Sequence, residues 1–156
     1  MSARASSSAD REVFITRIIN APRNLVFDAW VDSKHADKWM GPTGYTTVTQ
    51  SMEVRPGGQW RFTMSGPQGV FPSRVTYIEV QKPARLVYRH GADKDDDPDA
   101  FDVTVTFEDL GDKTHITMHS VFPTAAARDK VVKEFKAIEG GYQTLERLEQ
   151  QVLSRR

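Results

Sequence analysis

Cysteine is absent from the 156-residue chain. That excludes disulfides, thiolate metal sites, cysteine nucleophiles and iron–sulfur clusters together. An excess of charge of either sign is also missing: Lys plus Arg and Asp plus Glu number 21 each. Bulk attraction to nucleic acid or to an anionic membrane is therefore excluded as the main purpose. Apolar runs stop after a few residues, far below the roughly 20 needed to cross a bilayer, so no membrane insertion is expected. The opening Met1-Ser2-Ala3-Arg4-Ala5-Ser6-Ser7-Ser8-Ala9-Asp10 has no continuous apolar stretch of the secretory kind. Residues 1–10 are expected to be a disordered tail of small polar residues, and the expected compartment is the cytoplasm. A phosphate-binding glycine loop, a nucleophile elbow and an HExxH zinc signature are all lacking. No cofactor is expected.

What remains is an ordinary globular composition, with 27% charged and 38% hydrophobic residues, three Trp and eight Phe among them. The length suits one domain, expected over residues 11–156. Val13, Ile15 and Ile18-Ile19 alternate with polar residues and predict a strand over Glu12–Asn20. Leu25, Val26, Ala29 and Trp30 recur at helical spacing from Pro22 to Val31, with Asn20 as a candidate cap. A second short helix through Trp39 follows a cap at Asp32 or Ser33 and ends at Gly41-Pro42.

From Tyr45 to Phe122 the hydrophobic period is two. Val48, Met52 and Val54 mark one strand; Trp60, Phe62 and Met64 mark the next. Strands are predicted over Phe71–Val80 and Leu86–His90, either side of a break at Lys82-Pro83. Phe101, Val103, Val105 and Phe107 alternate with Asp102, Thr104, Thr106 and Glu108; a hairpin turn at Leu110-Gly111-Asp112-Lys113 leads to a strand carrying Ile116, Met118 and Ser120 on one face. The helical period then returns. Val131, Phe135, Ile138, Tyr142, Leu145 and Val152 form one apolar stripe, which predicts a single long helix with Gly140-Gly141 inside it. Each glycine costs about 1 kcal/mol there relative to alanine, which a kink, a close backbone contact or room for another group would offset. Successive strands joined by short turns give an antiparallel sheet, and its apolar face must be covered. The fold class is α+β: a curved antiparallel sheet of about six to seven strands around a long C-terminal helix, with two short helices after strand 1.

Several segments also resemble a known family. Ala21-Pro22-Arg23-Asn24-Leu25-Val26-Phe27-Asp28-Ala29-Trp30, Trp39-Met40-Gly41-Pro42, Arg55-Pro56-Gly57-Gly58, and Ile78-Glu79-Val80 followed by Pro83-Ala84-Arg85-Leu86-Val87 look like successive elements of the activator-of-heat-shock-protein-90-ATPase homologue-like branch of the START-like (SRPBCC) superfamily. The resemblance runs from about Val13 to Leu153. It implies a helix-grip fold with a cavity between sheet and helix that takes an apolar or amphipathic small molecule. The sequence departs from the pattern at Tyr142, where Trp often follows the helix glycine, at Glu53, where Asp is common, and at Ser120, where many relatives have His.

The expected cavity wall comprises Trp30, Trp39, Trp60, Phe62 and Met64 from the first half of the chain. Phe101, Val103, Met118, Phe135 and Leu145 come from the second half, with Tyr77, Tyr88, His90, Ser120 and Tyr142 as polar anchors. Plain core packing is the alternative for each aromatic. His90 shares an inner face with Leu86 and Tyr88 if that strand alternates, which would make it a base or a hydrogen-bond donor. His115 and His119 are four apart on a strand, about 13 Å, and alternate with Ile116 and Met118, so they face solvent and are no metal pair. Asp93, Asp95, Asp97 and Asp99 imitate a calcium loop, but Pro98 occupies the required glycine position and Thr104 the bidentate glutamate position. This acidic stretch is expected to be a solvated, self-repelling, extended loop. Arg61, Arg74, Arg85 and Arg89 are expected on outer strand faces.

Three functions compete. The first is a carrier or sensor of an apolar ligand. The second is a hydrolase or cyclase using the same cavity, for which His90 with a tyrosine or Ser120 is the pairing to test. The third is a co-chaperone, as the family's name suggests; a chaperone contact is not expected, because the larger proteins behind that name carry an additional domain. An exposed strand or helix face could also pair two copies of the chain.

Overall fold

Alternation and helical spacing translate into eleven elements in the computed structural model, which describes residues 10–134 and 136–154. In chain order these are β1 (Glu12–Ile19), α1 (Arg23–Trp30), α2 (Ser33–Trp39), β2 (Thr46–Met52), β3 (Gln59–Gly66), β4 (Gly69–Gln81), β5 (Arg85–Ala92), β6 (Phe101–Asp109), β7 (Thr114–Val121), α3 (Ala125–Lys133) and α4 (Ala137–Leu153). The strands form one curved, wholly antiparallel sheet in the order β1-β7-β6-β5-β4-β3-β2. Register shifts at Thr49/Ser51 and Tyr77/Glu79 mark bulges, the devices that bend a sheet. Alternation sends Trp60 and Phe62, Val75 and Tyr77, Leu86 and Tyr88, Val103 and Val105 to the buried face.

Helices α1 and α2 close one end through an aromatic cluster. Trp30 lies 4.7 Å from Trp39 and meets Phe107 edge-on at 5.6 Å, while Phe27 meets Phe107 at 5.2 Å. The indole of Trp39 donates to the Ala29 carbonyl (2.9 Å), so the cluster leaves no indole N–H of that residue unpaired. Helix α2 is capped by Asp32, which accepts from the Lys34 backbone (2.9 Å). Asn20 does not cap α1. Pro22 stands at the cap position in extended conformation, and the Asn20 backbone N–H goes instead to Glu149 of α4 (2.9 Å). Glu149 also receives Arg17, so one carboxylate ties the end of β1 to α4.

The C-terminal helical region is two helices, not one. Helix α3 ends at Lys133, Lys136 adopts the left-handed conformation (φ 51°), and α4 restarts with the Gly140 N–H donating to the Lys136 carbonyl. The break resets the helical phase. The buried stripe of α4 is Thr144, Leu145, Leu148 and Val152, and Tyr142 turns outward, 43% exposed. Gly141 explains the phase: a Cβ there would lie 1.9 Å from Cδ1 of Ile15, so α4 rests its bare backbone on β1. Of the alternatives for the glycine pair, a close contact accounts for Gly141.

The acidic stretch is also folded rather than extended. Asp93 accepts from Arg61 and Arg74 together, and Asp95 from Arg74 at 2.7 Å. Asp97 folds back onto the backbone N–H groups of Ala92 and Asp99. Its tight seat requires Gly91, where a Cβ would stand 2.8 Å from the Asp97 carboxylate. The arginines supply what a view of the loop alone omits: opposite charge from the outer faces of β3 and β4. Arg85 and Arg89 pair similarly with Glu79 and Asp102. His115 and His119 lie on the outer face, His115 bonded to Thr16 and Glu108, and His119 bonded to Glu12 and stacked on Phe14. No cluster of potential metal ligands occurs among the described residues, and none of their helices is long and apolar enough to cross a membrane.

Candidate ligand cavity

The curved sheet and the helices that cover it enclose a cavity of about 760 Å3, partly open to solvent. Its floor is the inner face of the sheet: Met64 of β3, Phe71 and Ser73 of β4, Tyr88 and His90 of β5, Phe101 of β6 and Met118 of β7. Trp30, Trp39 and the loop Met40-Gly41-Pro42-Thr43 form one wall. The start of α4, at Gly140, Gly141 and Thr144, forms another, and α3 contributes Ala127 and Val131. Gly140 thus lines the cavity beside Gly141's contact with β1. The rim carries Gln68, Asp97, Asp99, Lys130, Lys136 and Glu139.

The loop wall is held from α4 by Arg147. Its guanidinium donates to the carbonyls of Gly41 (2.7 Å), Pro42 (3.1 Å) and Lys38 (3.1 Å), with Met40 at 3.5 Å. No carboxylate among the described residues pairs with it. Its positive charge therefore sits at the C-terminal end of α2, where helix carbonyls concentrate negative potential. Burial lowers its pKa from the ordinary arginine value. Gln143 accepts from the Thr43 backbone (3.1 Å), and Thr47 donates to the Met40 carbonyl (2.9 Å).

Most polar groups facing the cavity already have partners. Ser73 donates to the Phe71 carbonyl and Thr144 to the Gly140 carbonyl. Tyr88 and His90 differ. The Tyr88 side chain is buried to 3% exposure, and neither its hydroxyl nor the His90 ring has a hydrogen-bond partner among the described residues. His90 is flanked by Phe62 at 5.8 Å and Phe101 at 5.1 Å. Burial pushes its imidazole down to about 4, against the pull of Asp97, so it is neutral at physiological pH. Burial raises the Tyr88 phenol, helped by neighbouring Tyr77, so it too is neutral.

Of the wall residues expected from sequence, the structure brings Trp30, Trp39, Met64, Tyr88, His90, Phe101 and Met118 around one space. Trp60, Phe62, Tyr77, Val103 and Leu145 are buried but sit off the cavity, where they pack as core. Trp60 stacks on Phe62 (4.1 Å) and donates to Thr49; the Tyr77 hydroxyl is buried with no partner among the described residues. Ser120 lies outside the lining and is not brought to His90 there; Tyr142 is outside because of the phase reset in α4. Phe135 falls outside the described residues, as does the expected tail except Asp10. The sequence reading missed the Met40–Thr43 loop and the β4 residues Phe71 and Ser73. The two-residue spacing of Phe71, Ser73, Val75 and Tyr77 was the available signal for the latter.

A curved antiparallel sheet gripping a C-terminal helix over an apolar cavity is the helix-grip class of ligand-binding and regulatory folds. Residues 20–152 match the family described as Activator of Hsp90 ATPase homolog 1-like protein, and the chain belongs to that family. No curated protein matches the sequence. Among solved structures, a protein from Arthrobacter aurescens is similar at TM-score 0.85 and 21% identity, covering 94% of this chain and 88% of that one. One from Nitrosomonas europaea is similar at TM-score 0.82 and 21% identity, covering 95% and 97%. An AHSA1 protein from Silicibacter pomeroyi is similar at TM-score 0.73 and 19% identity, covering 93% and 99%. At these identities the likeness extends to the fold alone.

Proposed function

We propose that this protein binds an apolar or amphipathic small molecule in the space between its sheet and its helices. The observation that carries the reading is the 760 Å3 cavity with a mainly apolar wall that includes Met64, Phe71, Phe101 and Met118. That volume falls inside the roughly 300–1,000 Å3 range of small-molecule pockets. Burying a ligand against the partly exposed Met64, Phe71, Phe101 and Met118 yields about 25 cal/mol per Å2 of apolar surface removed from water. Tyr88 and His90 supply the few polar contacts that orient such a ligand.

Native mass spectrometry and thermal-shift screening against lipids, fatty acids and aromatic polyketides test this. Retention of a compound in the gas phase together with a dose-dependent rise in melting temperature is the expected result. If no compound in the panel shifts the transition or survives as a complex, the reading fails. Regulation of a heat-shock ATPase draws its support from the family's name alone.

A further inference from the structure

We infer that the ligand is electrically neutral and enters with a carbonyl or hydroxyl oxygen foremost, which Tyr88 and His90 receive at the sheet. This rests on the cavity reading above and deepens it. On β5 the inner wall offers two polar groups with free hydrogen-bonding capacity, two residues apart on one strand face. Both are uncharged at physiological pH: a phenol that donates, and a neutral imidazole with one donor and one acceptor nitrogen. A ligand oxygen that reaches this face of β5 meets hydrogen-bond donors there and no fixed charge.

A carboxylate in that position has nothing to balance it. Among the described residues no lysine or arginine lines the inner floor, and the charged group that acts on His90 is Asp97, of the same sign as the ligand. The cations, Lys130 and Lys136, stand at the rim on α3 and at the start of α4. An acid could therefore bind only tail-first, with its head at the rim. That orientation lays methylene groups over the Tyr88 hydroxyl and the His90 nitrogens and leaves them unpaired, the more expensive way to bury polar atoms. The rim lysines are also answered by Asp97, Asp99 and Glu139, which weakens their hold on an anion.

The test is titration of the full-length chain at pH 7.5 with undecan-2-one, undecan-1-ol and undecanoic acid, equal in chain length and different in head group. Trp30 and Trp39 in the cavity wall give a fluorescence readout. The ketone and the alcohol should bind about tenfold more tightly than the acid, the factor expected when a charged head is refused its polar partners. Tyr88→Phe, which removes only an oxygen, should weaken the ketone about fivefold with an unchanged melting temperature. Equal or tighter binding of the acid, lost in a Lys130→Ala, Lys136→Ala double variant, overturns the inference and leaves the cavity reading standing. So does ketone binding that Tyr88→Phe does not alter. Failure of all three compounds to bind, with failure to displace Nile red, overturns both.

Discussion

Replacing Gly141 with alanine probes the contact that sets the phase of α4. Two effects oppose. In a helix interior the exchange gains about 1 kcal/mol of intrinsic propensity. Against this, the new methyl would stand 1.9 Å from Ile15 Cδ1 and 3.3 Å from Cγ1. Ile15 is nearly fully buried in β1 and must change rotamer or push the helix away, an overpacking cost of about 1–3 kcal/mol. The net expectation is a loss of about 1 kcal/mol. For 156 residues at about 2.1 cal/mol/K each, that lowers Tm by about 3 °C. Gly140→Ala is the internal control. It carries the same propensity gain, but its methyl would meet Pro42 at 3.4 Å, close to ordinary contact, so stability should hold or rise. Ile15→Val removes the offending carbon; alone it should cost about 1 kcal/mol. Combined with Gly141→Ala it should restore the protein to near wild-type stability, a favourable coupling of about 2 kcal/mol in a double-mutant cycle. Differential scanning calorimetry of the wild type and the four variants reads this directly. A strictly additive double variant, or Gly141→Ala more stable than wild type, would refute the account of why α4 sits where it does.

Lowering pH should destabilise the protein through His90. Its folded-state pKa, about 4, is below the unfolded value near 6.5, so between these the unfolded chain binds more protons and stability falls as pH falls. At pH 5 the loss is about 2 kcal/mol relative to neutral pH, and urea titrations of His90→Gln should show a flatter profile between pH 7 and 5 than wild type. Arg147→Met should cost about 2–3 kcal/mol by stripping a charged donor from the carbonyls of Lys38, Gly41 and Pro42, with Arg147→Lys recovering only part, as followed by thermal denaturation. Asp93→Asn should release the loop it anchors: hydrogen exchange over residues 93–99 should quicken while β6 and β7 stay protected, and unchanged exchange would contradict the role given to Arg61 and Arg74.

The sheet was legible because period two is a strong local signal. Phe101, Val103, Val105 and Phe107 predict β6 almost to its bounds, and Asp32 announces the start of α2. The break between α3 and α4 was not legible. Glu134-Phe135-Lys136 contains neither proline nor glycine, and Val131, Ile138 and Tyr142 can be drawn on one uninterrupted helix. What decides the phase is a residue with no side chain: Gly141 lies at the closest approach to β1, and a hydrophobicity pattern counts glycine as nothing. One position of rotation carries Tyr142 out to solvent and brings Thr144 and Leu148 in. The acidic loop failed for a related reason. Its charges are balanced by Arg61 and Arg74, 32 and 19 residues away from Asp93, and only strand pairing brings them near.

The same reasoning separates the parts of the candidate site. Alternation along β5 fixes Tyr88 and His90 on the inner face, and that much follows from local sequence. Whether an inward residue meets the cavity or the core depends on what stands above it. Phe62 and Phe101 both touch His90, yet Phe62 is sealed into the core and Phe101 borders the open space. The difference lies in the covering layer: α3 buries none of its own residues, whereas α1, α2 and α4 each bury at least two and meet the cavity only at Trp30, Trp39 and the start of α4. The break at Lys136, the feature hardest to see in the sequence, borders the cavity.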